Sequence, residues 1–176
     1  MISAENLVYS KAALSRALKI NPKSIVRFEV WDKVIFVIVK GQRPTFVSKN
    51  LFKKEFVEFR QRNSKLVSII PHAVSDKLFL AQSEGKAERH QVEIYQTYDN
   101  LIKSRCVCED YKNQLENRFY LKKELGTSDR SCKHQIALET FLGGNLRDYV
   151  NELRAIDQEY EVARARADLF GDYAAY

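Results

Sequence analysis

Arg105-Cys106-Val107-Cys108, then residues 109–131, then Cys132-Lys133-His134-Gln135-Ile136-Ala137-Leu138 is the stretch that decides how this chain folds, because it holds all three cysteines of the 176 residues. Three thiolates and one imidazole form a Cys₃His set, a ligand shell that holds Zn²⁺ tetrahedrally and leaves no position open for a substrate. One structural zinc is therefore expected on Cys106, Cys108, Cys132 and His134. Cysteines one residue apart can face the same ion if the backbone between them is extended or sharply turned, with Val107 turned away into a core. Cys132 and His134 can share the ion if the chain enters a helix there. The apolar run at 135–142, stopped by Gly143-Gly144, supplies that helix, with Asp129 and Ser131 as caps.

The competing reading makes the thiols small buried hydrophobes and His134 an ordinary helical histidine. Against it, scattered core cysteines have no reason to cluster in twenty-seven residues with a histidine two positions beyond the last. Any disulfide scheme would leave one of the three thiols over.

Upstream, 78–81 and 92–97 read as strands, Asp99-Asn100 as a turn, and 101–105 as a returning strand that delivers the first two cysteines. The pattern C-x-C, a gap, then C-x-H and an apolar helix resembles the SWIM-type zinc finger. That ββα module occurs beside Mutator-type transposases, SNF-type helicases and recombination accessory proteins. Cys132-Lys133-His134-Gln135-Ile136-Ala137 is similar to the family's helix start, and Val92-Glu93-Ile94-Tyr95 fits an upstream strand. The resemblance spans 77–144 and implies a zinc module serving DNA processing. Arg105, Arg130 and Lys133 flank the ligands and are expected to offset the roughly single negative charge of a Cys₃His zinc.

The net charge of +6 is unevenly distributed. Residues 1–65 carry fourteen Lys and Arg against five Asp and Glu, 66–145 balance eleven against eleven, and 146–176 carry four against seven. A basic front half suits a polyanion such as nucleic acid, although basic segments also serve simply as solvated faces.

Within that front half, 4–20 has helical spacing with Ser3 as a cap, ended by Asn21-Pro22. Residues 24–30 alternate as a half-buried strand, with Ile25 or Val26, Phe28 and Val30 on the apolar side. Trp31-Asp32-Lys33 reverses the chain into 34–39, whose β-branched run predicts a central strand covered on both faces. After Gly41-Gln42-Arg43-Pro44, residues 45–47 give a third strand, and 49–62 an amphipathic helix with a basic outer face. Lys49, Lys53, Lys54, Arg60 and Arg62 on that helix, with Lys40 and Arg43 on the turn, are the candidate phosphate contacts; the alternative is that they form only the wet side of the helix.

The fold expected is α+β: an α-β-β-β-α domain over 1–65, a junction at 66–77, a ββα zinc finger over 78–144 with its 23-residue insert, and a C-terminal helix and tail over 145–176. Tyr111, Leu115, Phe119, Tyr120 and Leu125 suggest helical segments within the insert, broken at Gly126-Thr127, that form a partner surface or pack on the finger. The stripe Leu146, Tyr149, Val150, Leu153, Ile156, Tyr160 and Ala163 packs on the protein or offers 146–169 for self-association or a partner helix. His72 and His90 stand apart as loop histidines.

No apolar run reaches membrane-span length and the N-terminus lacks a signal-peptide pattern. The expectation is an intracellular protein without a membrane partner, cytoplasmic or nucleoid-associated in a prokaryote and nuclear in a eukaryote. A closed zinc, six glycines without a phosphate loop and no spare cysteine argue against an enzyme. Two readings remain: a zinc module that binds DNA or other nucleic acid as an accessory factor in recombination, transposition or transcription, and a zinc-stabilised protein adaptor.

Overall fold

The computed structural model describes residues 3–126 and 131–171, the last five of these by backbone alone. It is an α+β fold with a three-stranded antiparallel sheet, a four-stranded antiparallel sheet and a long C-terminal helix.

The first helical stretch is two helices, α1 (Ala4–Val8) and α2 (Lys11–Leu18), rather than one. Ser10 breaks it by capping α2, its hydroxyl accepting from the Ala13 amide, while extended backbone at Tyr9 turns that ring fully into the core. A short 3₁₀ turn at Pro22–Ser24 leads into β1 (Ile25–Val30), β2 (Val34–Val39) and β3 (Thr45–Ser48), in the order β1-β2-β3. A bulge between Ile25 and Arg27 decides which of Ile25 and Val26 turns inward: Ile25 is buried and Val26 faces solvent. β2 is central but covered on one face only. Ile35, Val37 and Val39 are buried beneath the helices, whereas Val34, Phe36 and Ile38 are half-exposed on the other side.

The basic helix α3 (Lys49–Ser64) closes this first core with Phe52 and Phe56. The segment expected as a junction is a hairpin. Val67 and Ile69 alternate inward on β4 (Val67–His72), which pairs with β5 (Ser75–Ser83), and Pro71 sits beside a bulge of this edge strand, where a missing N–H is tolerated. β6 (Arg89–Gln96) and β7 (Ile102–Cys106) complete the order β4-β5-β6-β7. The finger region is thus built on four strands.

The insert forms α4 (Glu109–Glu116) and α5 (Arg118–Leu125). Rather than packing on the finger or standing free, α5 docks on the first unit: Leu121 is completely buried in the core of Tyr9, Leu14 and Phe52, flanked by Tyr120 and Leu125. α6 (Lys133–Phe141) packs on the second sheet and against α3, and Gly143 and Gly144, both at positive φ, end it. α7 (Leu146–Gly171) buries Leu146 and Val150 and stacks Tyr149 edge-on against Phe79, after which its side chains to Arg166 are almost all exposed. Among the described residues no helix is long and apolar enough to cross a membrane.

Candidate metal centre

β7 ends at Cys106, and strand alternation turns both Cys106 and Ser104 inward while Arg105 faces solvent. One residue of extended chain then brings Cys108 to the same side as the N-cap of α4, its sulfur accepting from the Tyr111 amide at 3.4 Å. Val107 between them does not enter a core; it is 48% exposed. Cys132 is the N-cap of α6, a role expected of Asp129 or Ser131, and His134 lies in its first turn. Ser131 is not the cap, and Asp129 lies outside the described residues.

The three sulfurs and one ring nitrogen lie within 4.8 Å of one another, and all four residues are buried. Cys106 Sγ is 3.7 Å from His134 Nδ1, which leaves Nε2 facing the Ser83 hydroxyl at 3.4 Å. In a tetrahedron with Zn–S bonds of ~2.3 Å the ligand atoms stand about 3.8 Å apart, so the set fits one metal ion after a contraction of less than about 1 Å. The chemistry of the donors fits as well, since three thiolates and an imidazole suit a soft or borderline cation.

Without metal the thiols form one hydrogen-bonded set. Cys108 is driven well below the ordinary thiol range by the S–H groups of Cys106 and then Cys132, with the Tyr111 amide adding to the effect. Cys106 is pushed up to about 12, chiefly by its hydrogen bond to Cys108, and Cys132 is raised by bonds to both. Cys108 also caps the N-terminus of α4, where the backbone dipole favours negative charge. Two helices, α4 at Cys108 and α6 at Cys132, begin at this centre.

These two helix N-termini stand where flanking cations were expected. Arg105 projects from the opposite face of β7 and pairs with Glu93 at 2.7 Å, so it does not face the sulfurs. Lys133 stays at the rim, lining an open groove of about 870 Å³ with Arg60, Asn63, Lys86, Cys108 and His134. The groove gives an ion or chelator a route to the ligands. Arg130 lies outside the described residues.

Three further residues support the ligands. Gln135 accepts from the Cys132 amide at 3.1 Å and donates to the Ser104 carbonyl at 2.8 Å, locking the start of α6 onto β7. Its place three residues after the N-cap is the capping-box position, a signal legible in the sequence. Ser83 and His90 carried no such signal. His90, opposite Ala81 in the β5–β6 register, lies against His134 with the rings tilted by 39° and their centroids 4.6 Å apart. His72, expected in a loop, is instead the last residue of β4, and its Nδ1 accepts from the Val74 amide in the turn that follows.

The candidate phosphate contacts fare unevenly. Arg60 is buried, gripped by both Asp110 oxygens at 2.6 and 3.0 Å, donates to the Phe56 carbonyl and lies over the Phe56 ring, so it is a strut between α3 and α4 and not a phosphate ligand. Arg62 pairs with Glu55, Lys54 with Glu58 and Lys53 with Glu124, while Lys49 lies 5.0 Å over the Tyr9 ring. Lys40 and Arg43 are exposed on the turn and make no ion pair among the described residues.

Compared with protein-family models, curated proteins and solved structures, the chain matches none.

Proposed function

We propose that this protein is a zinc-stabilised binding module of SWIM type that engages nucleic acid through its basic first unit, as an accessory factor in recombination, transposition or transcription. The observation that carries the reading is the convergence of four buried donor atoms within 4.8 Å. Held by four protein ligands, the ion has no open position for a substrate, so its work is structural rather than catalytic. Such ions contribute ~10–16 kcal/mol of apparent binding energy in finger peptides, as much as a whole domain's net stability. The fourteen Lys and Arg against five Asp and Glu in residues 1–65 support a polyanionic partner. Work on DNA places the protein inside the cell, at the nucleoid or in the nucleus.

Metal content by elemental mass spectrometry tests the centre. One zinc per chain is expected, lost or weakened in Cys106→Ser and His134→Ala; a metal-free, fully folded wild type would overturn it. Oligonucleotide binding tests the partner, with affinity expected to fall steeply with salt. The second reading, a protein adaptor, is favoured by α7, on which Ile156 and Tyr160 stand exposed beyond the anchored first turns. Partner binding lost in Ile156→Asp, with no polyanion bound at low salt, would select it.

A further inference from the structure

The outer face of the β1-β2-β3 sheet carries an aromatic cluster that the fold does not use. In the register of the sheet Glu29, Phe36 and Phe46 stand side by side across the three strands. Trp31, at the β1–β2 turn, folds onto this row. Its ring is stacked on Phe36 at 5.5 Å and 12°, and Phe46 is tilted against both, at 5.2 Å from Trp31 and 5.5 Å from Phe36. Mutual contact hides only part of these rings: Trp31 is 46% and Phe46 57% exposed. The core lies on the other side, beneath Ile35 and Val37, so no packing requirement places two large rings here.

The surroundings of the cluster select its occupant. The Arg27 guanidinium lies 5.4 Å over Phe36, Lys33 is exposed in the turn that carries Trp31, and Lys40 and Arg43 are exposed at the far end of β2. Glu29 is tied to Arg27 and to the Trp31 indole N–H, which leaves its charge compensated. A second copy apposed by the same face would bring its own first unit, with fourteen Lys and Arg against five Asp and Glu, against this one and be repelled. Flat π-faces beside a basic rim match unpaired bases on a phosphate backbone, because every base can stack and every phosphate is negative. A duplex hides its base faces and cannot use the rings.

We infer that the outer face of the first sheet, with Trp31, Phe36 and Phe46 as its stacking platform and Lys33, Lys40 and Arg43 at its edges, binds single-stranded nucleic acid. This rests on the nucleic-acid reading above and moves the contact from α3, whose cations are largely held in internal pairs, to the sheet.

Trp31 is the only tryptophan of the chain, so its fluorescence reports the platform directly. The zinc-loaded full chain is titrated at low salt with an oligothymidylate, an oligouridylate, an abasic strand of equal length and a duplex. Quenching of Trp31 by the two base-carrying strands, tighter binding of these than of duplex or abasic strand, and a loss of about 10-fold or more in Phe46→Ala are expected. Phe46 is exposed, so this variant should fold, and an unchanged melting temperature verifies that it does. Equal affinity for all four probes, without quenching and unaffected by Phe46→Ala, would overturn the platform while leaving nucleic-acid binding standing. No binding of any probe would overturn both. Concentration-dependent dimerisation abolished by Phe46→Ala would assign the face to a second copy and overturn the inference.

Discussion

At the scale of single residues, the stability of the first unit is tied to two protons. The Tyr9 hydroxyl donates to Glu124, which also pairs with Lys53. Burial, then this hydrogen bond, raises the Tyr9 phenol above its ordinary range. Burial pulls the Glu124 carboxyl the same way, but the bonds from Tyr9 and Lys53 outweigh it and leave it lowered. A raised phenol gives stability that is complete below the ordinary tyrosine value of about 10 and lost as pH rises beyond it; a lowered carboxylate gives stability present above about 4.3 and lost as pH falls through its folded value. Urea midpoints measured across pH should fall at both ends, and Tyr9→Phe should flatten both arms. Arg60 makes a second prediction. Arg60→Met strands Asp110, and because Asp110 is about a third exposed the loss should be about 2 kcal/mol, less than for a fully buried pair. If Arg60 bound phosphates instead, the same variant would lose oligonucleotide affinity and keep its stability.

At the scale of elements, α5 shows why the insert could not be placed from its sequence. Its periodicity announced helices, yet which core they join depends on where α4 points the chain after Cys108. Tyr111 faces the second core and Leu121 the first. Leu121→Ala should therefore cost ~2–5 kcal/mol, while Phe119→Ala, on the exposed side of the same helix, should stay within about 0.5 kcal/mol in chemical denaturation. α7 divides in the same way. Val150→Ala removes a buried contact and should cost about 2 kcal/mol, whereas Ile156→Glu beyond the anchored turns should leave the melting temperature unchanged. A large loss in Ile156→Glu would mean that the distal helix packs on something in solution.

At the scale of the whole molecule, the two sheets are coupled through the metal segment. The ligands Cys108 and Cys132 start the helices α4 and α6; Asp110 of α4 holds Arg60 of α3, α6 lies against α3, and α5 fills the first core. Chelation should therefore destabilise more than the finger. Trp31 sits in the first sheet, far along the chain from every ligand, and its fluorescence should nevertheless unfold at a lower urea concentration once metal is removed, together with the helical circular dichroism. An unchanged Trp31 midpoint beside a lost finger signal would show two independent units.

The sequence by itself determined the α+β class, the Cys₃His set that the fold gathers as one candidate metal site, the hairpin that delivers two of its residues and the helix that begins at the others. Each of these is a local matter of spacing, period or turn residue. Only the tertiary structure decided that Arg105 turns away from the sulfurs and that Arg60 is spent on Asp110, because a charge in a sequence carries no address for its partner. It also decided that β2 is covered on one face, which leaves Phe36 half-exposed and Phe46 exposed beside Trp31, and that residues 66–77 join the second sheet. A β-branched run says that a strand will form, but which of its faces meets a helix is settled by elements far away in the chain.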